Sequence, residues 1–410
     1  MKTLGNLLRA AACAIFVLAH VRAEKAPLVF AYPAEVLVSA KQCLAAGDES
    51  LAPALAALRA EADKMFAEKP ASVLDKTMVA ASGNKRDYFS MGPYWWPDPA
   101  KPDGLPYVRR DGEVNPDNNK GTDPRAFGRT TRSVWTLGLM YYLTGKEVYA
   151  EKAALLTRTW FLDPEKGMNP NLQYAQAIPG ITTGRDIGII DAHRLIEFTD
   201  GIALIAGSAA WTEDDDRGLK AWISTYLDWL LTSDNGKSES KKNNNHGTWY
   251  DAQATQLALF VGKNELAKTL VSRAMLNRIP SQIEPDGRQP HELARTRSLH
   301  YSTMNLRAFL ILASQGERVG LDMWAFSTED GRSLAKAAAF LAPYADPSKA
   351  WIKQDIADES RMAVREVLAR AALRIREPAV LASVATAAKD EEFASESWRL
   401  FAPILDGVGK

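Results

Sequence analysis

Beyond its first 23 residues the sequence holds four histidines, His193, His246, His291 and His300. His246 follows Asn243, Asn244 and Asn245 and precedes Gly247, within a polar stretch that runs from Ser233 to Tyr250. Amides can orient or neutralise a carboxylate, and an imidazole beside them can take a proton near neutral pH. Gly247 leaves the backbone free for close approach. The same residues also fit an Asn-rich turn that caps a helix. His193 lies in Ile187 to Phe198, where the apolar spacing is helical, and it reads as structural.

A second group gathers Arg288, His291, Arg295, Arg297, His300 and Tyr301 after the turn Glu284-Pro285-Asp286-Gly287. Cations at the start of a helix oppose its dipole, so local structure alone gives little reason for them. His291 and His300 lack the spacing of a zinc site and no cysteine set accompanies them, so neither a metal nor another cofactor is expected.

The elements that must position these groups read as helices. Thr212 caps an acidic first turn, and Leu219, Trp222, Ile223, Tyr226, Trp229 and Leu230 then share one face up to Leu231. Similar spacing recurs around Leu266–Ala274, Met304–Leu312, Ala335–Leu341 and Val364–Ala371. Short polar turns such as Thr144-Gly145-Lys146 join them, which points to an all-α stack of helical hairpins. Three long irregular segments interrupt it, at 87–125, 168–185 and 233–250. They hold the unusual residues, among them Tyr94-Trp95-Trp96-Pro97-Asp98-Pro99 and the run Asn169 to Gln176. Loops of that length in a compact helical chain are more often functional than idle.

Composition narrows the partners. The 410 residues are 46% hydrophobic and 24% charged, with 50 basic and 50 acidic side chains. No global basic field exists to gather nucleic acid or anionic lipid, so an anionic ligand needs a local site. Residues 1–23 read as a cleaved secretory signal: Lys2 and Arg9, an apolar run from Ala10 to Ala19, then Val21-Arg22-Ala23. Removing Lys2, Arg9 and Arg22 leaves 47 bases against 50 acids, a charge of −3. Cys13 leaves with the signal and Cys43 remains alone. No later run of about 18 apolar residues suggests membrane insertion. The expectation is a periplasmic or secreted protein whose residues 24–410 form one domain.

Several separated motifs resemble the alginate lyase superfamily. They are Asn245-His246 leading into Gly247-Thr248-Trp249-Tyr250-Asp251, the Tyr94 to Pro99 segment, and Pro285-Asp286-Gly287-Arg288-Gln289-Pro290 continuing to Arg295 and Tyr301. The resemblance is nearest to polysaccharide lyase family 38, with family 5 more distant, and spans roughly residues 85–315. It implies an (α/α) toroid, an incomplete barrel of helical hairpins whose long loops form a cleft for an acidic polysaccharide. It also implies a metal-free catalytic group, which falls on His246, Tyr301 and Arg295 with Asn245 at the substrate carboxylate. Tyr94, Trp95, Trp96, Tyr174, Gln176, Arg185, Tyr250, Arg288 and His291 are the candidates for holding the sugar chain.

The chemistry agrees with that assignment. β-Elimination at a 4-linked uronate removes the proton on C5, which is scarcely acidic while the neighbouring carboxylate is ionised. Asn245, His246 and an arginine can hydrogen-bond that carboxylate and stabilise the enolate-like intermediate. A base and an acid must then serve C5 and the glycosidic oxygen. One reading makes His246 the neutralising group and Tyr301 both base and acid, on mannuronate or glucuronate; it needs a cation such as Arg295 to favour the phenolate. In the other, for guluronate, His246 is the base. Arg295 and Tyr301 are six positions apart, so a loop must fold them together. Two other classes compete: an (α/α) glycoside hydrolase using Asp186, Asp191 or Asp251, and a non-catalytic binding protein with the same aromatic cleft.

Overall fold

The computed structural model describes residues 26–401, apart from 354, 358–360, 391, 394 and 395. The expected signal segment, and Cys13 with it, lies outside the described residues. The described chain is built from helices: α1 (Ala34–Ala45), α2 (Ala52–Ala67), α3 (Pro124–Thr144), α4 (Glu147–Thr157), α5 (Leu195–Ile205), α6 (Glu213–Thr232), α7 (Asp234–Glu239), α8 (Asn245–Phe260), α9 (Asn264–Arg273), α10 (Ser298–Arg318), α11 (Leu334–Leu341), α12 (Arg361–Ala371) and α13 (Pro378–Ala387). None of them is long and apolar enough to cross a membrane.

Helix α6 shows how the sequence writes these elements. The Thr212 hydroxyl accepts from the Asp215 N–H while the Asp215 carboxylate accepts from Thr212, a reciprocal cap on an acidic first turn. Leu219, Trp222, Ile223, Tyr226, Leu227 and Leu230 are buried along one face. Helix α3 ends at Gly145, whose φ of 68° is the left-handed conformation that a C-terminal glycine supplies cheaply.

Helices α3, α5, α8, α10 and α12 pack one against the next as an inner ring, and α2, α4, α6, α9, α11 and α13 back them from outside. That is an (α/α) toroid. Inner helix α8 is buried along nearly its whole length, including Thr248, Gln253, Thr255 and Gln256. Its polar groups must therefore find partners inside. Gln256 donates to Asp200 and Thr199 on α5, and accepts from Gln315 on α10.

The N-terminal segment closes the ring. The backbone N–H groups of Phe30 and Ala31 each donate to Asp200 at 2.9 Å. The Ala31 carbonyl accepts from Arg370 on α12. Tyr32 stacks on Trp135 of α3 and lies under the Arg370 guanidinium.

The irregular segments carry the only strands among the described residues. β1 (Phe89–Met91) pairs in parallel with β4 (Tyr174–Ala177), and β2 (Trp95–Trp96) pairs antiparallel with β3 (Val108–Arg109). Two sequence expectations change. The stretch 233–250 is not a continuous loop, because α7 and the first turns of α8 fall inside it. The helix expected over Ile187–Phe198 splits into a 3-10 turn, Asp186–Ala192, and α5, with His193 at the joint.

Asp200 is fully buried and burial raises its pKa to about 7. The unfolded state ionises first, so this group withdraws stability as pH rises from its ordinary value of 3.8 towards 7. Asp200→Ala strands two buried backbone N–H groups, and urea unfolding is expected to show a loss of about 2–5 kcal/mol. A change under about 0.5 kcal/mol, the level of a neutral surface substitution, would show that the N-terminal segment is held by something else.

Candidate active site

His246 stands in the first turn of α8, and what surrounds it explains the glycine that follows. Asp251, fully buried one turn on, is ion-paired with Arg273 and Arg278. The remaining N–H groups of Arg278 donate to the carbonyls of Lys242 and Ser240, each at 2.8 Å. A Cβ on Gly247 would stand 2.1 Å from the Lys242 oxygen and 2.3 Å from an Arg278 nitrogen. The chain passes there only without a side chain.

The same anchoring brings Glu239, the last residue of α7, against the imidazole. Glu239 Oε1 lies 2.7 Å from His246 Nδ1, and the Glu239 side chain is 1% exposed. A carboxylate only accepts, so Nδ1 donates to it and Nε2 is left for another partner. Sequence reasoning missed Glu239, one acid in a polar stretch with no pattern to mark it.

Asn245 takes a different role from the one expected. It is fully buried, and its backbone N–H and its Nδ2 donate to the two oxygens of Glu292, at 2.6 and 2.7 Å. Glu292 caps the start of α8 from the short helix Pro290–Leu293, where a negative charge suits the helix dipole. Burial pushes the Glu292 carboxyl up, against the pull of Asn245, Arg295 and His246. Asn245 is thus tied to a carboxylate of the protein and positions α8, rather than offering its amide to a ligand carboxylate.

Arg295 and Tyr301 do meet. The guanidinium lies 4.0 Å above the phenol ring, and Nη2 donates to the Tyr301 hydroxyl at 3.0 Å. Asp111, from the long segment 87–125, holds Arg295 through Oδ1 at 2.9 Å and Oδ2 at 3.2 Å. Tyr94 brings its own hydroxyl to 2.5 Å from that of Tyr301. The expectation that Arg295 favours the phenolate needs correction. Burial raises the Tyr301 pKa most, Tyr94 adds to it, and Arg295 only partly offsets them. Tyr301 rests as a phenol.

Trp95 and Trp96 are half-buried beside arginines, Trp95 under Arg185 at 5.8 Å and Trp96 under Arg110 at 4.8 Å. Arg185 donates to the carbonyl and the side-chain oxygen of Gln176. Its charge has no carboxylate within ion-pair distance among the described residues. Gln176 has φ of 49°, the one described non-glycine residue in the left-handed region, a strained conformation of the kind that collects at functional sites. Its Nε2 donates to half-buried Asp191, which also accepts from Ser90 and Tyr88. Tyr174 is half-buried on β4.

The other three candidates for sugar contact differ in their surroundings. Tyr250 is 2% exposed and donates its hydroxyl to the Leu230 carbonyl, so it is a packing residue. Arg288 is exposed and pairs with Glu284 and Asp286 of its own turn. His291 is exposed on the helix Pro290–Leu293. His193 is enclosed, its Nδ1 2.8 Å from the Ile190 carbonyl and its pKa lowered to about 4 by burial. Among the described residues no three of His, Cys, Asp and Glu gather as a metal site. The hydrolase alternative loses its acids: Asp186 is paired with Lys242, Asp251 with two arginines, and Asp191 is enclosed by donors.

The close approach at Gly247 gives a direct check. Gly247→Ala is expected to lose about 1–3 kcal/mol in urea unfolding through overpacking. Gly207→Ala, where a Cβ meets nothing within 4 Å, serves as its control. Equal stability of the two variants would remove the Arg278 contact from the account.

The chain matches the alginate lyase family model over residues 72–351. The crystal structure of an alginate lyase from Bacteroides ovatus is similar to it at 39% identity, covering 92% of this chain and 99% of that one with a TM-score of 0.87. Alginate lyase A1-III from Sphingomonas species A1 shares the fold at 16% identity, covering 84% of this chain and 94% of that one with a TM-score of 0.50. No curated protein matches. With its family model spanning both halves of the site, the chain belongs to the alginate lyase family of polysaccharide lyases.

Proposed function

We propose that the protein cleaves a 4-linked uronate polymer of the alginate or glucuronan type by β-elimination, after export and removal of residues 1–23. The motifs favour polysaccharide lyase family 38 within the superfamily. The observation that carries the reading is the pairing, in one site, of an imidazole hydrogen-bonded to Glu239 with a protonated phenol held by Arg295 and Tyr94. Glu292 joins the two halves, bound to Asn245 and within electrostatic reach of both His246 and Arg295.

In this reading Arg185 meets the substrate carboxylate and lowers the cost of charge developing beside C5. His246 Nε2 takes the C5 proton. The electrons of that C–H bond become the C4–C5 double bond, the C4–O4 bond breaks, and Tyr301 gives its proton to O4. The products are a 4,5-unsaturated uronate end and a free hydroxyl end. His246 then releases its proton to solvent and Tyr301 is reprotonated.

One observation favours a second reading, in which Tyr301 is both base and acid: Arg295 and Tyr94 can both donate to a phenolate oxygen. The pH profile separates the two. As an acid, Tyr301 must keep its proton, and its raised pKa holds it there, so kcat/KM stays level between about pH 8 and 10. As a base it must lose the proton, and kcat/KM would climb about tenfold per pH unit over that range.

Variants give the complementary test, read as ultraviolet absorbance of the unsaturated product on polymannuronate, polyguluronate and glucuronan. Tyr301→Phe is expected to lower kcat by two or more powers of ten with polymer binding retained. His246→Gln should be as inactive as His246→Ala, since an amide donates a hydrogen bond but takes no proton. Substantial activity of the Gln variant would return His246 to carboxylate neutralisation. A wild type that forms no unsaturated product from any of the three would end the lyase reading of these polymers.

A further inference from the structure

A cavity of about 360 Å³ lies between the starts of α5, α8, α10 and α12. It is lined by residues that the elimination chemistry does not use. Its size is at the low end for small-molecule sites, enough for a sugar ring. Trp249, Met304 and Val367 give it an apolar wall, while Arg194, Glu197, Arg307 and Glu366 give it charge. That mixture suits a pyranose, whose faces are apolar and whose rim is polar.

The cavity adjoins the catalytic group through the chain itself. Trp249 follows His246 by one turn of α8, and positions three apart share a helix face. His300 directly precedes Tyr301, with their rings 5.2 Å apart. His193 closes the far side with its ring 5.0 Å from Trp249. A sugar seated there is a neighbour of the residue undergoing elimination.

The charges say which sugar. Arg307 is held by Glu197 at 2.7 Å and Glu366 at 3.5 Å, so both carboxylates already have a cation. Arg194 is the exception: its guanidinium makes no hydrogen bond and no ion pair with any described residue, although burial depresses its pKa. It rests over Gly128 of α3, with Nε 3.5 Å from where a Cβ would stand. A half-buried guanidinium left without a partner loses hydration and gains nothing until an anion arrives. Trp249 Nε1, Thr303 Oγ1 and Arg307 Nε are likewise buried without protein acceptors, so the wall is rich in donors.

We propose that this cavity is a subsite for a uronate residue one position beyond the two that the cleaved linkage joins, with Arg194 taking its carboxylate and Trp249 and Met304 packing on its ring. The inference rests on the uronate lyase reading above and adds to it a determinant of chain length and charge.

The test compares wild type, Arg194→Ala and Ala363→Phe, the last filling the cavity from α12, on whichever of polymannuronate, polyguluronate and glucuronan the wild type cleaves fastest and on the shortest oligomer of that polymer that it still cleaves. Both variants should lose about ten- to hundredfold in kcat/KM on polymer, mostly through KM, as expected for a charge-assisted contact. On the shortest oligomer they should stay within about twofold of wild type, within the noise of such comparisons. Losses equal at both lengths, or no loss at either, overturn the subsite while leaving the lyase reading intact. A wild type inactive on every uronate polymer overturns both. Thermal unfolding of each variant separates a lost contact from a lost fold, and Arg194→Lys, which keeps the charge, is expected to recover part of the loss on polymer.

Discussion

Asp251 is a carboxylate with no exposed surface, and it persists there because Arg273 and Arg278 meet it. A buried charge is tolerated only when paired and hydrogen-bonded, so removing either partner leaves the other strongly unfavourable. The consequence reaches beyond stability. Arg278 spends its remaining donors on the carbonyls of Ser240 and Lys242, which fixes the turn between α7 and α8. That turn sets Glu239 against His246. The placement of the imidazole therefore follows from an ion pair that never touches the ligand.

Acids elsewhere in the sequence place the second half of the site. Asp111 reaches across 184 positions to hold Arg295, which lies over Tyr301. Glu292 caps α8 through Asn245 and stands electrostatically between His246 and Arg295. The toroid supplies inner helices whose first turns carry His246 and Tyr301. The long irregular segments supply Tyr94, Asp111 and the strained Gln176 that completes Arg185. Neither part makes the site alone.

The helices were legible because apolar spacing and caps are local. The Thr212 cap and the buried stripe of α6 could be read directly, whereas the start of α8 at His246 fell inside a stretch that reads as irregular. The carboxylates that organise the site were not legible, since Glu239, Glu292 and Asp111 sit in polar stretches and gain meaning only from tertiary partners. The same limit explains the misplaced roles. Asn245 looked like an anion holder because its amide was visible and Glu292's approach was not. Tyr250 looked like a sugar contact because its ring lies in a motif, whereas its burial depends on α6. The direction of the Tyr301 shift turned on burial and on Tyr94, 207 positions away, rather than on the cation six positions before it.

The central claim is that proton abstraction and proton donation belong to different residues, His246 and Tyr301. Incubating Tyr301→Phe with a uronate oligomer in deuterated water tests it most directly, by following deuterium at C5 alongside product formation. The account predicts exchange at C5 without cleavage, because His246 can still take the proton and trade it with solvent while the leaving oxygen lacks its acid. Exchange absent in Tyr301→Phe but retained in His246→Ala would contradict it and make Tyr301 the base.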